Sequence, residues 1–187
     1  MIANRNDLRE YLNSDNQWLI PRKTKDKVIE KIGAYPAGTF RKYLKLLRNQ
    51  EYYINTANGN RLKWLLNVIY EGRKNRLGMK LGIEIGPNCF GRGLNLYHSN
   101  VVINPAVRVG DNCSLHGANC IGNNGLTDGV PKLGNNVDVG YGAIIIGDIT
   151  IADGVKIGAN AVVNRSVTEP GCTVAGVPAR IVKSRQG

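Results

Sequence analysis

Long apolar runs are absent from this sequence, and no stretch approaches the roughly 20 residues that a helix needs to cross a bilayer. Near the start, charges at Arg5, Asp7, Arg9 and Glu10 interrupt the apolar centre that a secretory signal peptide requires. These two absences predict a protein located in the cytoplasm.

Residues that commonly bind metals are scarce. Only two histidines occur, His98 and His116. The four cysteines show no metal-binding spacing: Cys89, Cys113, Cys120 and Cys172. We therefore predict no metal site, and we expect the cysteines to be reduced.

Acidic residues are under-represented in the first part of the chain. Residues 1–80 contain 17 Lys or Arg and 7 Asp or Glu, whereas residues 81–187 contain 8 and 7, so most of the net charge of +11 lies in the first part. Such a surface suits an anionic membrane or a polyanionic substrate, or it is a solvated helical face. Because the chain lacks aromatic stacking runs, helix-turn-helix patterns and paired zinc ligands, we predict no nucleic-acid partner. Peripheral membrane contact stays open.

The most informative feature of the sequence is a six-residue repeat. From Leu133 to Val167 an aliphatic residue recurs at every sixth position, and a small or β-branched residue lies four positions after each. The first set is Leu133, Val139, Ile145, Ile151, Ile157 and Val163, and the second is Val137, Ala143, Ile149, Val155, Ala161 and Val167. The phase continues upstream, with one extra residue before Ile103 and a turn-rich insertion, NNGLTDGVPK, after Ile121. This period predicts a β-helix of three-sided coils, with the insertion as a loop.

The segment before the repeat is predicted to be helical, which gives an α+β fold: a helical domain over residues 1–78, a β-helix over 79–177 and a capping tail over 178–187. Four groups of apolar residues share a helical face. They are Leu8, Tyr11 and Leu12; Val28, Ile29 and Ile32; Phe40, Tyr43, Leu44 and Leu47; and Leu62, Leu65, Leu66, Ile69 and Tyr70. We predict that the last group packs inward, that its helix ends near Gly72 and Gly78, and that Trp18 and Trp64 pack between helices.

Residues 79–183 resemble the hexapeptide-repeat acyltransferases, through GRGLNLYHSNVVINPAVRVGDNCSLHGANCIG, PKLGNNVDVGYGAIIIGDITIADGVKIGANAVV and VAGVPARIV. The resemblance is closest to the serine acetyltransferase branch and its relatives that O-acetylate exopolysaccharide or capsule units. It implies a left-handed parallel β-helix and acetyl-CoA as co-substrate. It also implies a homotrimer with active sites between subunits, which the helical domains can join into a dimer of trimers.

The two histidines are the candidate catalytic residues. They are 18 residues apart, one coil of such a solenoid, so the extra residue before Ile103 places them on adjacent coils without direct superposition. Imidazole is the natural base for transfer from a thioester to a hydroxyl near neutral pH. The resemblance implies His98 as that base and Glu84 as the acid that orients it, although the chain between them is one residue shorter than in the family. Backbone amides of the glycine-rich turns are predicted to hold the oxyanion.

The acceptor site departs from the serine enzymes. Tyr97 stands where they carry an aspartate, and Gly129 and Val130 stand where they carry an Arg-His pair that binds the amino acid. We therefore predict a sugar hydroxyl in polysaccharide biosynthesis as acceptor, bound by His116 and Tyr97. Serine O-acetyltransferase is the alternative.

The resemblance also marks a path for acetyl-CoA. The residues that match positions lining it are Gly122, Tyr141, Gly142 and Ala159, with Arg180 and Lys183 placed for the phosphates. A non-catalytic solenoid scaffold stays a further alternative. A carbonic anhydrase of the same fold is disfavoured, because its zinc takes three histidines and this chain has two.

Overall fold

The computed structural model of the chain describes residues 1–17 and 36–184. In these ranges three helices, α1 (Arg5–Ser14), α2 (Pro36–Thr56) and α3 (Arg61–Leu81), precede a series of short strands. The strands are β1 (Ile83–Glu84), β2 (Asn95–Leu96), β3 (Val101–Ile103), β4 (Arg108–Val109), β5 (Ser114–Leu115), β6 (Cys120–Gly122), β7 (Lys132–Leu133), β8 (Asp138–Val139), β9 (Ile144–Ile146), β10 (Thr150–Ile151), β11 (Lys156–Ile157), β12 (Val162–Val163), β13 (Thr173–Gly176) and β14 (Ala179–Lys183). The predicted helical face of Val28, Ile29 and Ile32, and Trp18, lie outside the described residues.

The strands form three sheets, which are the three faces of a parallel β-helix. The first sheet has the order β1-β3-β6-β9-β12, the second β4-β7-β10, and the third β2-β5-β8-β11-β13-β14. Among the described strands, five of the ten parallel pairs join residues 18 positions apart, which is one coil. The pair Leu96 and Leu115 is 19 positions apart, and the pair Cys120 and Ile144 is 24 apart. These two departures are the extra residue and the insertion that the sequence predicts. A third departure, the separation of 17 between Ile157 and Val174, occurs where the repeat ends.

Both residue sets of the repeat point into the β-helix and form its core. Every member from Leu133 to Val167 is at most 8% exposed. Full burial of one aliphatic side chain stabilises a fold by about 1.5–3 kcal/mol, so this column dominates the stability of the β-helix. Cys113 occupies a small-residue position, and burial raises the pKa of its thiol above the ordinary range, so it packs as a neutral hydrophobe.

Asparagines turn the coils at two series of corners, between the second and third sheets (Asn112 and Asn136) and between the third and first sheets (Asn100 and Asn160). Asn100, Asn112, Asn136 and Asn160 have φ angles between 56° and 63°, a left-handed conformation that few residues other than Gly, Asn and Asp adopt. The Nδ2 group of Asn112 donates to Oδ1 of Asn136 at 3.1 Å. The side chains of Asn112 and Asn136 therefore bond to each other across successive coils.

A buried arginine joins the helices to the first coil. Arg48 of α2 is completely buried and donates to Asp15 at 2.7 Å, Glu51 at 2.9 Å and the carbonyls of Phe90 at 3.0 Å and Gly91 at 2.7 Å. Burial alone would lower the pKa of Arg48, but the carboxylates of Glu51 and Asp15 outweigh it and the pKa is raised. The guanidinium stays charged and connects three parts of the chain.

Helix α3 contradicts the predicted packing of its apolar stripe. Leu62, Leu65 and Ile69 are exposed, and so is Trp64, at 61%. The reason is that the inner side of the helix covers two backbone carbonyls. The carbonyl of Thr56, at the end of α2, and that of Ile85, in the first coil, both need hydrogen-bond donors.

Two lysines of α3 supply those donors. Lys63 donates to the Thr56 carbonyl at 2.9 Å, and Lys74 donates to the Ile85 carbonyl at 2.8 Å. Lys74 is buried, which lowers the pKa of its ammonium group. Asn67 is buried on the same side of the helix. Polar side chains therefore share the inner face with Tyr70, which stacks on Tyr53 of α2, and with Leu77 and Leu81, which pack against the core. Three other apolar side chains of the stripe, Leu62, Leu65 and Ile69, are left on the outer face.

Helix α3 is longer than the glycines in the sequence predict. Helix α3 continues through Gly72 and Gly78 and ends at Leu81. Gly82 caps it, with a φ of 64° and an N–H that bonds to the Gly78 carbonyl. Strand β14 begins at Ala179 and pairs antiparallel with β13, so the tail closes the edge of the third sheet. No described helix is both long and apolar enough to cross a membrane.

Candidate active site

Both histidines lie at the corner that follows β2 and β5 of the third sheet. Because Leu96 pairs with Leu115, Tyr97 lies over His116, and His98 lies over Gly117. The rings of Tyr97 and His116 stack in parallel, with centroids 4.4 Å apart and planes 2° apart. The predicted arrangement, with the two histidines on adjacent coils but not superposed, is therefore confirmed.

His116 has a carboxylate partner that the sequence did not reveal. Its Nε2 atom lies 2.8 Å from Oδ1 of Asp138, which is the first residue of β8. Because a carboxylate can only accept, Nε2 carries the proton, and Nδ1 of a neutral ring keeps its lone pair. Asp138 pairs with Ser114, 24 positions earlier, so the insertion conceals a relation that the 18-residue period would have shown.

His98 is exposed, and no hydrogen bond joins its ring to the part of the chain that the structure describes. The edge of Tyr141 approaches it, with ring centroids 6.2 Å apart. Gly117 lies directly beneath, with φ of 107°, and a Cβ atom there would be 2.6 Å from Cβ of His98. A glycine is therefore needed at this position. Buried Asn119 braces the corner, because it accepts from the Gly117 N–H at 2.9 Å and donates to the Gly140 carbonyl at 2.8 Å.

Several of the predicted residues meet in one shallow depression of about 560 Å³. It is lined by His98, His116, Asp138, Gly140, Tyr141, Ile157 and Ala159. Two imidazoles, one carboxylate and one phenol thus face the same space. The depression can hold a polar acceptor beside a base, while Ile157 and Ala159 supply a small apolar wall.

Glu84 does not reach this depression, contrary to the prediction that it orients His98. It pairs with Val102 on the first sheet and lines a groove against α3, together with Lys74. In the described residues no hydrogen bond links it to His98. The reason is the pairing of β1 with β3, which aligns Glu84 with a residue four positions beyond His98, past the corner.

The remaining predicted coenzyme residues are dispersed in a single chain. Gly122 ends β6, at the far end of that strand from the histidine corner, and Arg180 and Lys183 lie exposed on β14. Gly142 follows Tyr141, and its N–H donates to the Gly117 carbonyl at 2.9 Å. Only Tyr141 and Ala159 of the predicted set line the depression.

The predicted oxyanion donors are largely occupied. The N–H groups of Gly117 and Gly142 bond to Asn119 and to the Gly117 carbonyl, and that of Gly140 bonds to the Ile157 carbonyl at 2.8 Å. These three amides hold the coils together, so they are not free to receive an oxyanion as the sequence predicted.

The insertion after Ile121 has no strand between 123 and 131, as predicted. Gly129 lies against Asp148, since a Cβ atom there would be 2.5 Å from Cβ of that residue. Val130 packs against the core. Among residues 1–17 and 36–184, no group of three or more His, Cys, Asp or Glu side chains is placed to hold a metal ion.

Curated proteins with similar sequences are serine acetyltransferases. That of Synechococcus elongatus is 41% identical over 105 residues, which is 54% of this chain and 43% of the relative. That of Helicobacter pylori is 42% identical over 105 residues, which is 54% of this chain and 61% of the relative. The chain thus spans about half the length of the curated relatives it matches. No protein-family model matches it.

Solved serine acetyltransferases share the fold along nearly the whole chain. The Neisseria gonorrhoeae structure has a TM-score of 0.69 and 26% identity, covering 97% of this chain and 67% of the other. The Brucella abortus structure in complex with coenzyme A has a TM-score of 0.68 and 26% identity, covering 97% and 68%. The predicted α+β fold, a helical region followed by a left-handed β-helix, is confirmed. The chain belongs to the hexapeptide-repeat acyltransferase superfamily, in its serine acetyltransferase-like branch.

Proposed function

We propose that this protein is an acetyl-CoA-dependent O-acetyltransferase, with L-serine as the acceptor that the relatives favour. The observation that carries the proposal is the pair of histidines on adjacent coils, His98 and His116, facing one depression. The relatives are named serine acetyltransferases, and one related structure holds coenzyme A. The cytoplasm, where acetyl-CoA is available, stays the expected location.

His98 acts as the general base in this mechanism. Its exposed ring has no partner in the described residues that would compete for its lone pair. It accepts the proton of the acceptor hydroxyl while that oxygen attacks the acetyl carbonyl carbon. The carbon–sulfur bond then breaks, and the coenzyme thiolate takes the proton from the imidazolium. An acyl-enzyme is not required.

His116 holds the acceptor next to that base. Asp138 fixes the Nε2 proton, and the stacked ring of Tyr97 fixes the ring plane, so Nδ1 points in one direction. Asp138 is thus a positioning residue. Its second oxygen is partly exposed, as the side chain is 44% accessible, and it can accept from an ammonium group or a hydroxyl.

The coenzyme-binding residues are proposed to come together only in an assembly. Gly122, Gly142, Arg180 and Lys183 lie away from the depression in one chain, whereas Tyr141 lines it. A homotrimer with grooves between subunits would bring the tail of one chain towards the corner of another. Light scattering measures the molecular mass of the assembly directly.

A sugar hydroxyl is the second candidate acceptor, and one observation favours it. In the described part of the chain no Lys or Arg lines the depression, and the neutral ring of His116 has no N–H left to donate, so an amino acid carboxylate would find no cationic partner there. The relatives named above do not support this acceptor, and serine is therefore the first to test.

The deciding experiment measures thiol release from acetyl-CoA with L-serine, D-serine and a panel of free and nucleotide-linked sugars. Product masses identify the acetylated acceptor. The wild type is compared with His98→Asn, which keeps the size and polarity of the ring but cannot act as a base. Acetyl-CoA binding by calorimetry is the folding control.

Release with L-serine that His98→Asn abolishes would establish the proposal. Release with a sugar alone would replace serine by the second candidate. If acetyl-CoA binds to neither protein and no acceptor releases thiol, the enzyme proposal fails and a scaffold role takes its place.

A further inference from the structure

The outer face of α3 has the composition of a membrane-binding surface. Five apolar residues near its start are between 42% and 65% exposed: Leu62, Trp64, Leu65, Val68 and Ile69. Soluble surfaces rarely concentrate five large apolar side chains within eight positions of one helix. We define these five residues as the apolar patch.

Cationic residues flank the apolar patch at both of its ends along the helix. Arg61 precedes it, and Arg73, Arg76 and Lys80 follow on the same exposed side of the helix. The spacing of Leu65, Val68 and Arg76 by three or eight positions places them along one stripe of the helix. Glu71 is the one acid of α3, and it lies beside the groove that Lys74 lines. The outer face is therefore both apolar and cationic.

We propose that this outer face of α3 binds peripherally to a lipid bilayer that contains anionic headgroups. Trp and Leu side chains enter the interface between headgroups and acyl chains, while Arg and Lys contact the phosphates. The inner face of α3 stays in place because Lys63 and Lys74 bond to the carbonyls of Thr56 and Ile85. The patch can thus bind lipid without unfolding the helix.

The charges favour lipid over a second copy docked by the same face. Two α3 helices packed face to face about a two-fold axis would bring Arg61 of each chain towards Arg76 and Lys80 of the other. Such an interface would place like charges together with no acid to separate them. An anionic bilayer supplies apolar depth and negative charge at once. The proposal is independent of the acetyl acceptor.

The test is flotation with vesicles of phosphatidylcholine containing about a quarter phosphatidylglycerol, compared with pure phosphatidylcholine. The Trp18→Phe protein leaves Trp64 as the sole tryptophan reporter. We expect binding to the anionic vesicles that weakens with salt, a blue shift of Trp64 emission, and quenching by brominated lipid. Acetyl transfer in solution is expected to be unchanged by the variants below.

Matched variants separate the two parts of the surface. Leu65→Ser with Ile69→Ser should lower partitioning at least about tenfold. Leu126→Ser, at a residue 88% exposed on the loop, should not. Arg73→Gln and Arg76→Gln should each lower binding about fivefold to anionic vesicles, whereas Arg165→Gln on the β-helix should not.

Three outcomes would overturn the proposal. One is the absence of binding to anionic vesicles. Another is equal binding by the double serine variant and the wild type. The third is a change in oligomeric mass in the double variant with no change in vesicle binding, which would assign the patch to contact between copies.

Discussion

Removal of the buried charge at Arg48 should destabilise the whole chain. Its guanidinium makes bonds to Asp15, Glu51 and the carbonyls of Phe90 and Gly91, and the side chains of Asp15 and Glu51 are only 4% and 2% exposed. In Arg48→Met, both carboxylates would be left buried without a counter-charge. Breaking a buried ion pair on one side typically costs about 3–5 kcal/mol.

The loss in free energy of unfolding should lie in the upper part of that range, because two carbonyls also lose a charged hydrogen-bond donor. The free energy of unfolding of a domain is only about 5–15 kcal/mol, so this loss is a large fraction of it. Arg48→Lys should retain only part of the stability that Arg48→Met loses, since an ammonium group has three donors and cannot reach all four partners. Arg48→Met combined with Asp15→Asn and Glu51→Gln should recover part as well, because neutral amides cost less to bury than carboxylates.

Chemical denaturation followed by circular dichroism measures these differences. Arg92→Met is the matched control: its ion pairs with Glu10 and Asp111 are both 3.1 Å long, but its side chain is 50% exposed. We expect little change from it, because solvent already screens those pairs. If Arg48→Met destabilises no more than Arg92→Met, the reasoning about buried charge is wrong.

Three further predictions concern the site and the first helix. His98→Ala should lower turnover at least about 100-fold while coenzyme binding is retained, and near-normal turnover would remove His98 from the base role. Asp138→Ala should raise the KM for the acceptor about tenfold with a smaller effect on kcat, and Asp138→Asn should do less because its amide oxygen still accepts from His116; unchanged kinetics in both would contradict the positioning role. The backbone N–H of Ala3 lowers the pKa of Asp7, so this carboxylate stabilises α1 above its ordinary pKa of 3.8, and the contribution is lost as the pH falls below that value. In Asp7→Asn, hydrogen exchange in α1 should lose this pH dependence, and an unchanged dependence would assign it to another group.

The sequence predicted the β-helix because its signal is local and repeated. Each six-residue repeat places one aliphatic residue and one small or β-branched residue at fixed positions, so the period itself predicts which side chains are buried. The extra residue before Ile103 and the insertion after Ile121 stood out as interruptions of that period. The relation of His98 to His116 followed from the same count of residues.

Contacts across the interruptions could not be predicted in this way. Asp138 reaches His116 only because the six inserted residues form a loop and leave the coil stacking intact. Glu84 matched a family position in sequence, yet strand pairing aligned it with Val102. A shift of one residue at a corner is enough to move a side chain to another face of the solenoid.

The sequence by itself therefore determined the solenoid, its core and the coil of each histidine, since these depend on a short period that any segment displays. The tertiary structure alone decided which face of α3 is buried. The apolar spacing there marks a helical face but does not say whether that face points inward or outward. Lys63 and Lys74 point inward because the carbonyls of Thr56 and Ile85 need hydrogen-bond donors. The carboxylate partner of His116 was decided in the same way, because hydrogen bonding between distant segments depends on where the chain returns and not on local spacing.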